Sequence, residues 1–339
     1  MVGVADPAAV TARAVAWSAL LLAAAACGGH GPATGGLPLH PVADVLMPGP
    51  AVRFDYQDLD PAHRRLYVAH LGANRVVAVE VDSLTVAGTV DGLANVHGVG
   101  GAPDLDRLFA TATGSDQVVA IQASSLTVTG RAPTGRFPDG VAYDPDHKAV
   151  FVSNKDDGSE TVVDASTLAV RRTVRLAGEV GNVVWDSALQ RMLVAARPPD
   201  QLLLFDPDSG QVTGRVALAG CRGAHGVAVD GAAHTAFVAC ERNARLAVVD
   251  LTSLHQRELE TVGDDPDVLA FDPGLSRLYV AAESGVLAVF EEKDGGLHKL
   301  GQAKLAGAAH TVAVDPTTHR VFFPLENVHG HPVLRIMAP

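Results

Sequence analysis

A tetrapeptide of the type Leu-Tyr-Val-Ala recurs seven times along this chain, and its regular spacing constrains the fold more than any other feature. The seven copies begin at Leu66, Leu108, Val150, Met192, Ala236, Leu278 and Val321. The intervals between them are 42, 42, 42, 44, 42 and 43 residues. Units of one length that repeat along a chain build arrays or rings, because a single unit cannot bury its hydrophobic face alone.

Each unit contains the same order of short apolar runs and turn residues. An apolar run leads into an Asp-Pro pair, as at Asp60 and Pro61, which favours a type I turn. The tetrapeptide strand follows, then a polar loop and a third apolar run. An Asp followed closely by Ser/Thr-Leu, as from Asp164 to Leu168, marks the next hairpin. Four short strands per unit without helical periodicity predict an all-β, seven-bladed β-propeller with four-stranded blades.

The two ends of the repeat region fit a closed ring. Only one more strand pattern, residues 332–337, follows the seventh tetrapeptide, and one, residues 41–47, precedes the first unit. Pairing these segments would complete the last blade and remove an exposed sheet edge. We therefore assign residues 42–339 to one propeller domain that is closed by its N-terminal strand, and we expect a monomer.

The repeat pattern resembles that of a known family. Leu-Tyr-Val-Ala at 66–69, Val-Val-Ala-Val at 76–79, Asp-Ser-Leu at 82–84 and Gly-Val-Ala-Tyr-Asp-Pro at 140–145 are similar to the repeats of the YVTN-repeat (YncE-like) seven-bladed β-propeller family. The resemblance extends over essentially all of residues 42–339. It implies the propeller fold and a role as a binding or surface scaffold. Few members of the family have an assigned activity.

Charge and motifs exclude several classes of function. Twenty-six Lys and Arg residues against 38 Asp and Glu residues give a formal net charge of −12. Such an acidic chain repels phosphate backbones, so we expect no nucleic-acid partner. The sequence contains no nucleophile elbow, phosphate-binding loop or dinucleotide fingerprint, which leaves acyl transfer, NTP chemistry and NAD chemistry without support.

The N-terminal segment predicts export. Arg13 precedes the apolar run 14–26, which is shorter than the ~20 residues needed to cross a bilayer but typical of a signal peptide. Cys27 directly follows Ala24–Ala26 and resembles a bacterial lipoprotein cleavage site. We interpret residues 1–27 as a signal peptide with lipidation at Cys27. Ordinary secretion and an uncleaved segment are the alternatives.

A tether and a location follow from that interpretation. Residues 28–41 contain many Gly and Pro residues and predict a flexible tether. The expected protein is a periplasmic or cell-surface lipoprotein that touches the membrane only through its lipid anchor. A secreted protein is the alternative.

The clearest functional candidates occupy one repeat position, five residues before the Asp60 equivalents. The innermost strand of each propeller blade begins there, at one mouth of the central channel, where propellers usually bind ligands. In blade 4 the position is Gly181, with Asn182 beside it. The candidates for this channel-mouth ring are Asp55, His97, Asp139, Asn182, His225, Asp267 and His310. Around the closed ring, His and Asp alternate except at blade 4.

Three interpretations of the ring remain open. The residues could be turn formers that bond neighbouring backbone groups. They could form a structural ring in which each His donates to a flanking Asp, which would raise the pKa of the His. They could also bind a polar ligand or a divalent metal ion, with His97, His310 and Asp55 as the candidate metal ligands.

Loops after the tetrapeptide strands open onto the same face and add candidates. These loop-face residues are His70, Asn154, Lys155, Arg197, Glu241, Arg242, Glu326, His329 and His331. A His-x-His pair on a strand points both rings to one side, as metal sites require, but for His329 and His331 a solvated loop is the favoured interpretation.

Two cysteines of the repeat region flank one blade. Cys221 lies in the loop that enters blade 5, and Cys240 begins the loop after the tetrapeptide strand of that blade. Both loops open on the same face, so in an oxidising compartment we expect a disulfide between them.

Two functional hypotheses follow. The first is a scaffold that binds an unidentified small molecule or protein at its loop face. The second is a metal-dependent hydrolase or lyase in which His97, His225 and His310 act as ligands or general bases beside Asp55, Asp139 and Asp267.

Overall fold

A computed structural model describes residues 1–3, 36–176 and 178–339 of the chain. The predicted signal peptide, apart from its first three residues, lies outside the described residues, and so does Cys27. Residues 28–35 of the predicted tether also lie outside them.

The described chain forms seven four-stranded antiparallel sheets, which confirms the predicted seven-bladed propeller. Blades 1 to 6 follow one another along the chain, and blade 7 combines the last three strands with the first. The strands of blades 1 to 3 are β2 (Gln57–Asp60), β3 (Arg65–His70), β4 (Arg75–Glu80), β5 (Thr85–Asp91), β6 (Val96–Ala102), β7 (Arg107–Ala112), β8 (Gln117–Gln122), β9 (Thr127–Pro133), β10 (Pro138–Asp144), β11 (Ala149–Asn154), β12 (Ser159–Asp164) and β13 (Val170–Arg175). Those of blades 4 to 6 are β14 (Glu179–Asp186), β15 (Arg191–Arg197), β16 (Gln201–Phe205), β17 (Val212–Ala217), β18 (Ala224–Asp230), β19 (Thr235–Cys240), β20 (Arg245–Asp250), β21 (His255–Thr261), β22 (Pro266–Asp272), β23 (Arg277–Ala282), β24 (Val286–Lys293) and β25 (Gly296–Lys304). Blade 7 contains β26 (Ala313–Asp315), β27 (Arg320–Val328), β28 (His331–Ala338) and β1 (His40–Leu46).

Short 3₁₀ helices occupy several loops. They comprise Leu71–Ala73, Pro103–Leu105, Thr113–Ser115, Lys155–Asp157 and Glu241–Asn243. Within the described ranges, the chain has no helix of the length and apolar character that a membrane crossing requires.

A buried aspartate holds the turn between the first and second strands of most blades. The Oδ1 atom of Asp60 accepts hydrogen bonds from the backbone N–H groups of Ala62 and His63, at 2.9 and 3.0 Å. Asp144 makes the same two contacts in blade 3. The carboxylate thereby satisfies backbone donors that the tight turn leaves without strand partners, which is why Asp recurs at this position of the repeat.

The ring closes through β1 and β28, as the sequence predicts. The two strands pair antiparallel from His40 with Ala338 to Leu46 with Val333. Arg335 of β28 also donates to Asp44 of β1 at 2.7 and 2.9 Å. This pairing covers the edge that blade 7 would otherwise expose.

The strand β1 begins two residues before the predicted domain boundary at residue 42. Residues 36–39 also contact the propeller, because Leu37 and Leu39 pack against the hydrophobic cluster that contains Tyr279 and Phe323. The described end of the predicted tether is therefore part of the packed domain.

The hydrophobic core lies between neighbouring blades. Tyr67 and Val76 of blade 1 share one buried cluster with Leu108 and Val119 of blade 2. Across the closure, Leu66 of blade 1 packs with Phe322 and Leu334 of blade 7. Each blade thus buries both of its faces, so the removal of one closing contact affects the whole ring.

Shortening a buried side chain of β28, the strand that pairs with β1, should destabilise the domain. Leu334 of β28 is fully buried, and we expect Leu334→Ala to lower the free energy of unfolding by about 2–5 kcal/mol. Val42 of β1 is 42% exposed, so Val42→Ala is the matched control, with an expected change within about 0.5 kcal/mol. Urea unfolding measures both values. Equal effects of the two substitutions would show that β28 is not part of the cooperative core.

Candidate functional site

A bulge at the start of the inner strand places the ring residues in most blades. The pairing register shifts between Val96 and Val99 in β6, and at the equivalent place in β10, β14, β18 and β22. The residues inside these five irregularities are His97, Asp139, Asn182, His225 and Asp267. A bulge turns a side chain away from the regular strand alternation, and here it directs the side chain toward the channel mouth.

The backbone conformation two residues before the ring position fixes the orientation of the imidazoles of His97 and His310. The residues there, Asn95 and Ala308, have left-handed φ values of 47° and 53°. Their carbonyl groups lie near Nδ1 of the following histidine, at 2.8 Å for His97 and 3.0 Å for His310. Because a carbonyl only accepts hydrogen bonds, Nδ1 carries the proton and Nε2 keeps its lone pair.

Close backbone contact between neighbouring blades explains why glycine directly follows the ring residue in three blades. A Cβ atom on Gly226 would collide with the carbonyl oxygen of Asp267 in the next blade, and Gly98 meets the carbonyl of Asp139 in the same way. Three blades therefore carry Gly here, at Gly98, Gly140 and Gly226. Inner strands that approach this closely bring the ring residues of neighbouring blades together.

The ring residues surround a cavity of about 200 Å³ at one end of the channel, which we call the mouth cavity. Its lining contains six carboxyl groups but only two cationic side chains. The lining residues are Arg53, Asp55, Tyr56, His97, Asp139, Lys155, His225, Glu241, Asp265, Asp267 and Glu283. His310 is fully buried beside this lining and approaches Asp267. The composition of the cavity favours positive charge.

The imidazoles and carboxylates of the ring approach each other without forming the predicted chain of hydrogen bonds. His97 Nε2 lies 4.0 Å from Asp55 Oδ2, and His310 Nε2 lies 4.0 Å from Asp267 Oδ2. His225 Nε2 lies 3.4 Å from Asp267 Oδ1. These distances exceed those of ordinary hydrogen bonds. The Nδ1 atoms of His97 and His310 bond to nearby backbone carbonyls, as the turn interpretation expects. Their Nε2 atoms face carboxylates instead.

Tyr56 separates the mouth cavity from a second cavity farther along the channel. Its hydroxyl contacts Asn182 Oδ1 of blade 4 and lies 3.2 Å from His225 Nε2 of blade 5. Tyr56 lines both the mouth cavity and the second cavity, which has about 580 Å³ and includes Asp58 and Trp185. Tyr56 therefore forms the floor of the mouth, and Asn182 holds that floor.

The pKa values of the acidic ring residues shift in opposite directions. Burial raises the pKa of Asp55 to about 8, with the Asp139 charge adding to the effect. Burial likewise raises the pKa of Asp267 well above its usual range, and the Asp55 charge adds to it. Burial also opposes the ionisation of Asp139, but the charge of Lys155, 3.5 Å away, helps to lower its pKa overall. At neutral pH, Asp139 is the ionised member.

The three histidines are neutral at physiological pH. Burial lowers the pKa of His310 to about 4, and the positive charge of Arg53 contributes. Burial also lowers the pKa of His97 and of His225. The structural-ring interpretation would raise these pKa values, whereas burial outweighs the attraction of the nearby carboxylates and lowers them.

Among the residues that the structure describes, two trios of side chains bring their potential metal-binding atoms within 4.8 Å of one another. One consists of Asp55, Asp267 and His310, and the other consists of His225, Glu241 and Asp267. Of the three predicted metal ligands, Asp55 and His310 share a trio. Asp267 takes the place that we assigned to His97, which lies on the other side of Asp55.

The loop-face candidates divide between the mouth and the protein interior. Glu241 lines the mouth cavity and bonds to Arg197, which also donates to Glu179 at 2.7 Å. Arg242 approaches the same Glu179 at 3.6 Å and is largely exposed. This network of blades 4 and 5 forms one wall of the mouth.

His70 and Asn154 have structural contacts instead. His70 is fully buried and stacks on Phe54 with ring centroids 4.1 Å apart. Asn154 is also fully buried, accepts a hydrogen bond from Gly135 N at 2.8 Å and donates to Thr161. Both residues end their strands on the predicted face, but neither side chain lines the mouth cavity.

Glu326, His329 and His331 of the blade 7 loop are not among the residues that line the mouth cavity. Glu326 is half-buried on β27, and burial raises its pKa. His329 and His331 are exposed, and they do not share one strand. His329 and Gly330 have φ values of 53° and 91° and form the two-residue turn between β27 and β28, so the ring directions expected of a His-x-His strand pair do not apply.

Sequence reasoning missed four residues that line the mouth cavity, namely Arg53, Tyr56, Asp265 and Glu283. Arg53 donates to Glu283 at 2.6 Å across blades 1 and 6. Glu283 directly follows β23, so the rule applied to the other loops would have found it. Tyr56 occupies the position that is Gly in three other blades, and that departure from the repeat was its signal.

Cys221 and Cys240 are joined by a disulfide, with their Cα atoms 5.4 Å apart. The bond connects the loop that enters blade 5 to the end of β19. It closes a loop of 19 residues, for which the expected stabilisation is about 3 kcal/mol. It holds the segment that leads directly to His225.

Comparisons with known proteins identify the propeller and little else. A family model described as YNCE-like beta-propeller matches residues 67–270, more than half of the chain. No curated protein matches the chain significantly. Kuenenia stuttgartiensis hydrazine synthase contains a chain that is similar in structure, with 14% identity, a TM-score of 0.74, and coverage of 92% of this chain and 98% of that chain.

Two further solved structures are similar to the same extent. A chain of the mitotic checkpoint complex has 13% identity and a TM-score of 0.72, covering 87% of this chain and 93% of that one. U3-55K has 11% identity and a TM-score of 0.74, covering 88% of this chain and 100% of that one. At such identities the likeness shows the fold alone.

Removing the hydroxyl of Tyr56 should weaken the floor of the mouth. Tyr56→Phe leaves the buried Asn182 and His225 groups without this partner, and we expect a loss of about 1–3 kcal/mol in the free energy of unfolding. Tyr143→Phe, which removes a surface hydroxyl bonded to Asp104, is the control and should change stability by less than about 0.5 kcal/mol. Denaturant titration decides the point, and a Tyr56→Phe protein as stable as the control would refute the role of this hydroxyl.

Proposed function

Because the chain belongs to the YNCE-like β-propeller family, we propose that it is a binding protein whose mouth cavity holds a small, positively charged ligand, organic or metallic. A propeller scaffold supports a binding role in general terms. The finer proposal concerns where the ligand binds and what charge it carries.

The charge of the mouth cavity is the observation that carries this proposal. Six carboxyl groups and two cationic side chains line a cavity that holds about 200 Å³. Arg53 is already paired with Glu283, and Lys155 approaches Asp139. The remaining carboxyl groups include Asp55 and Asp267, which are almost completely buried. A cationic ligand would be attracted by the ionised carboxylate of Asp139 and would stabilise the ionised forms of Asp55 and Asp267, whereas an anion would be repelled by Asp139.

Hydrolase or lyase chemistry at the same groups stays a prediction. The neutral imidazoles of His97 and His310 could serve as ligands or general bases. Binding, however, needs only the charge and volume of the cavity, while catalysis needs a substrate whose reacting atom these groups reach.

Export and a lipid anchor remain part of the proposal. The apolar run 14–26 and Cys27 support a lipoprotein that is periplasmic or at the cell surface. The oxidising environment of those compartments also suits the disulfide between Cys221 and Cys240. Such a protein would present its mouth cavity to small molecules outside the cytoplasm.

Matched probes of opposite charge test the binding proposal. Diaminobutane, butanediol and succinate share a short carbon skeleton but carry positive, neutral and negative ends. We expect diaminobutane or a divalent cation to raise the melting temperature and succinate to have no such effect. Asp139→Asn should weaken binding of the cationic probe about ten- to hundredfold, the loss expected for a hydrogen bond to a charged group.

Asp58→Asn in the second cavity is the control for that substitution and should leave the affinity unchanged. Titration calorimetry measures both variants. The proposal fails if no cationic probe binds, if succinate binds equally well, or if Asp58→Asn weakens binding as much as Asp139→Asn.

Lipidation is tested separately in a bacterial host that processes lipoproteins. The full chain should incorporate labelled palmitate and partition into detergent, and Cys27→Ser should abolish both. Cys221→Ser is the control, because it removes a cysteine of the propeller and should leave labelling at Cys27 intact. Labelling that survives Cys27→Ser would contradict a lipid anchor at this residue.

A further inference from the structure

Asp55, Asp267 and His310 form the more deeply buried of the two trios at the mouth. Their side chains come from three blades, and the residues are 2%, 7% and 0% exposed. One carboxylate oxygen from each aspartate and one imidazole nitrogen lie within 4.8 Å of one another. Groups this buried need partners that satisfy their polar atoms.

The tautomer of His310 determines which atom faces the two aspartates. Its Nδ1 lies 3.0 Å from the carbonyl oxygen of Ala308 and 3.5 Å from Glu283 Oε2. Both neighbours are acceptors, so Nδ1 carries the hydrogen and Nε2 presents its lone pair. Metal-binding histidines are held in this way, with the distal N–H donated to a carbonyl or carboxylate.

The lone pair of His310 Nε2 is directed into the trio and has no hydrogen-bond partner among the described residues. It lies 4.0 Å from Asp267 Oδ2. Asp267 Oδ1 likewise has no hydrogen-bond partner within the described ranges. Acceptor atoms that face one another in a buried place are unfavourable unless a cation or a proton lies between them.

The nearest cationic side chain does not fill this role. Arg53 donates to Glu283 at 2.6 Å, and its Nε remains 3.8 Å from Asp55 Oδ2. Its side chain is 39% exposed, so it lies at the rim of the mouth. His97 presents a further Nε2 lone pair to Asp55 at 4.0 Å from the opposite side.

We propose that Asp55, Asp267 and His310 bind one divalent first-row transition-metal ion, such as Zn²⁺. The inference rests on the proposed function, since it names the cation that the mouth cavity takes. A donor set of one imidazole nitrogen and two carboxylate oxygens suits such ions, whereas Mg²⁺ and Ca²⁺ prefer oxygen alone. An ion with three protein ligands keeps a position for water or a polar ligand.

Ala308 and Glu283 become positioning groups under this proposal, because they fix the tautomer of His310. The second trio is a weaker candidate. His225 Nε2 also lies 3.2 Å from the hydroxyl of Tyr56, and Glu241 already bonds to Arg197. One ion at the first trio would use His310 Nε2 and an oxygen of Asp267, whose Oδ1 also lacks a hydrogen-bond partner among the described residues.

Zinc titration of chelator-treated protein tests the site. We expect one equivalent of Zn²⁺ to bind, and His310→Gln and Asp267→Asn each to weaken it by at least about 100-fold, the upper end of what losing a supporting residue costs. The double substitution His329→Gln with His331→Gln is the control for zinc bound by exposed histidines and should keep the wild-type affinity. An excess of Mg²⁺ should not displace the ion.

Co²⁺ absorption and anomalous diffraction are measured on the wild-type protein, so they keep the test valid if a variant folds poorly. Wild-type crystals soaked in Zn²⁺ should show one anomalous peak between the three side chains. The inference is overturned if the peak lies at His329 and His331, if Mg²⁺ competes equally, or if no ion binds. Binding of diaminobutane without any metal binding would overturn only this inference, whereas failure of every cationic probe would end the proposed function as well.

Discussion

The pairing of β1 with β28 is the constraint on which the rest of the molecule depends. Seven blades of one design can share an axis only if the last blade meets the first, and the chain ends supply that contact from His40 with Ala338 onward. The contact places blade 7 between blade 6 and blade 1. Asp267, His310 and Asp55 can then face one another, although 43 residues separate the first two and more than 200 separate either from the third.

Ring closure also explains why the mouth carries so much buried charge. Each blade contributes one polar side chain at or just before the start of its inner strand, and the ring brings most of these side chains to one cavity. Burial then makes the imidazoles neutral and raises the pKa of Asp55 to about 8. Burial thereby favours the protonated forms of Asp55 and Asp267, and a cation that binds between them would replace these protons. The scaffold supplies stability through its blade-to-blade core, so the mouth can tolerate these groups.

Much of the fold could be predicted from the period alone. The intervals of the tetrapeptide, the Asp turns and the incomplete last unit specify seven blades and their closure, because these features are local or repetitive. The same alignment located the ring residues. It could not show that Asp267 joins Asp55 and His310, because bulge geometry and tautomers depend on backbone carbonyls such as that of Ala308. Arg53 and Tyr56 lie outside the ring position and the tetrapeptide loops that the alignment compares, and the burial of His70 depends on its packing against Phe54.

Native-state hydrogen exchange measures most directly whether the closed ring holds the mouth together. If closure is the central constraint, the protected amides of β1 and β28 exchange with the same opening free energy as those of β15 and β16 in blade 4, within about 1 kcal/mol. All of them would then exchange through global unfolding. Exchange of β1 and β28 through a separate opening of much lower free energy, with blade 4 still protected, would contradict this dependence.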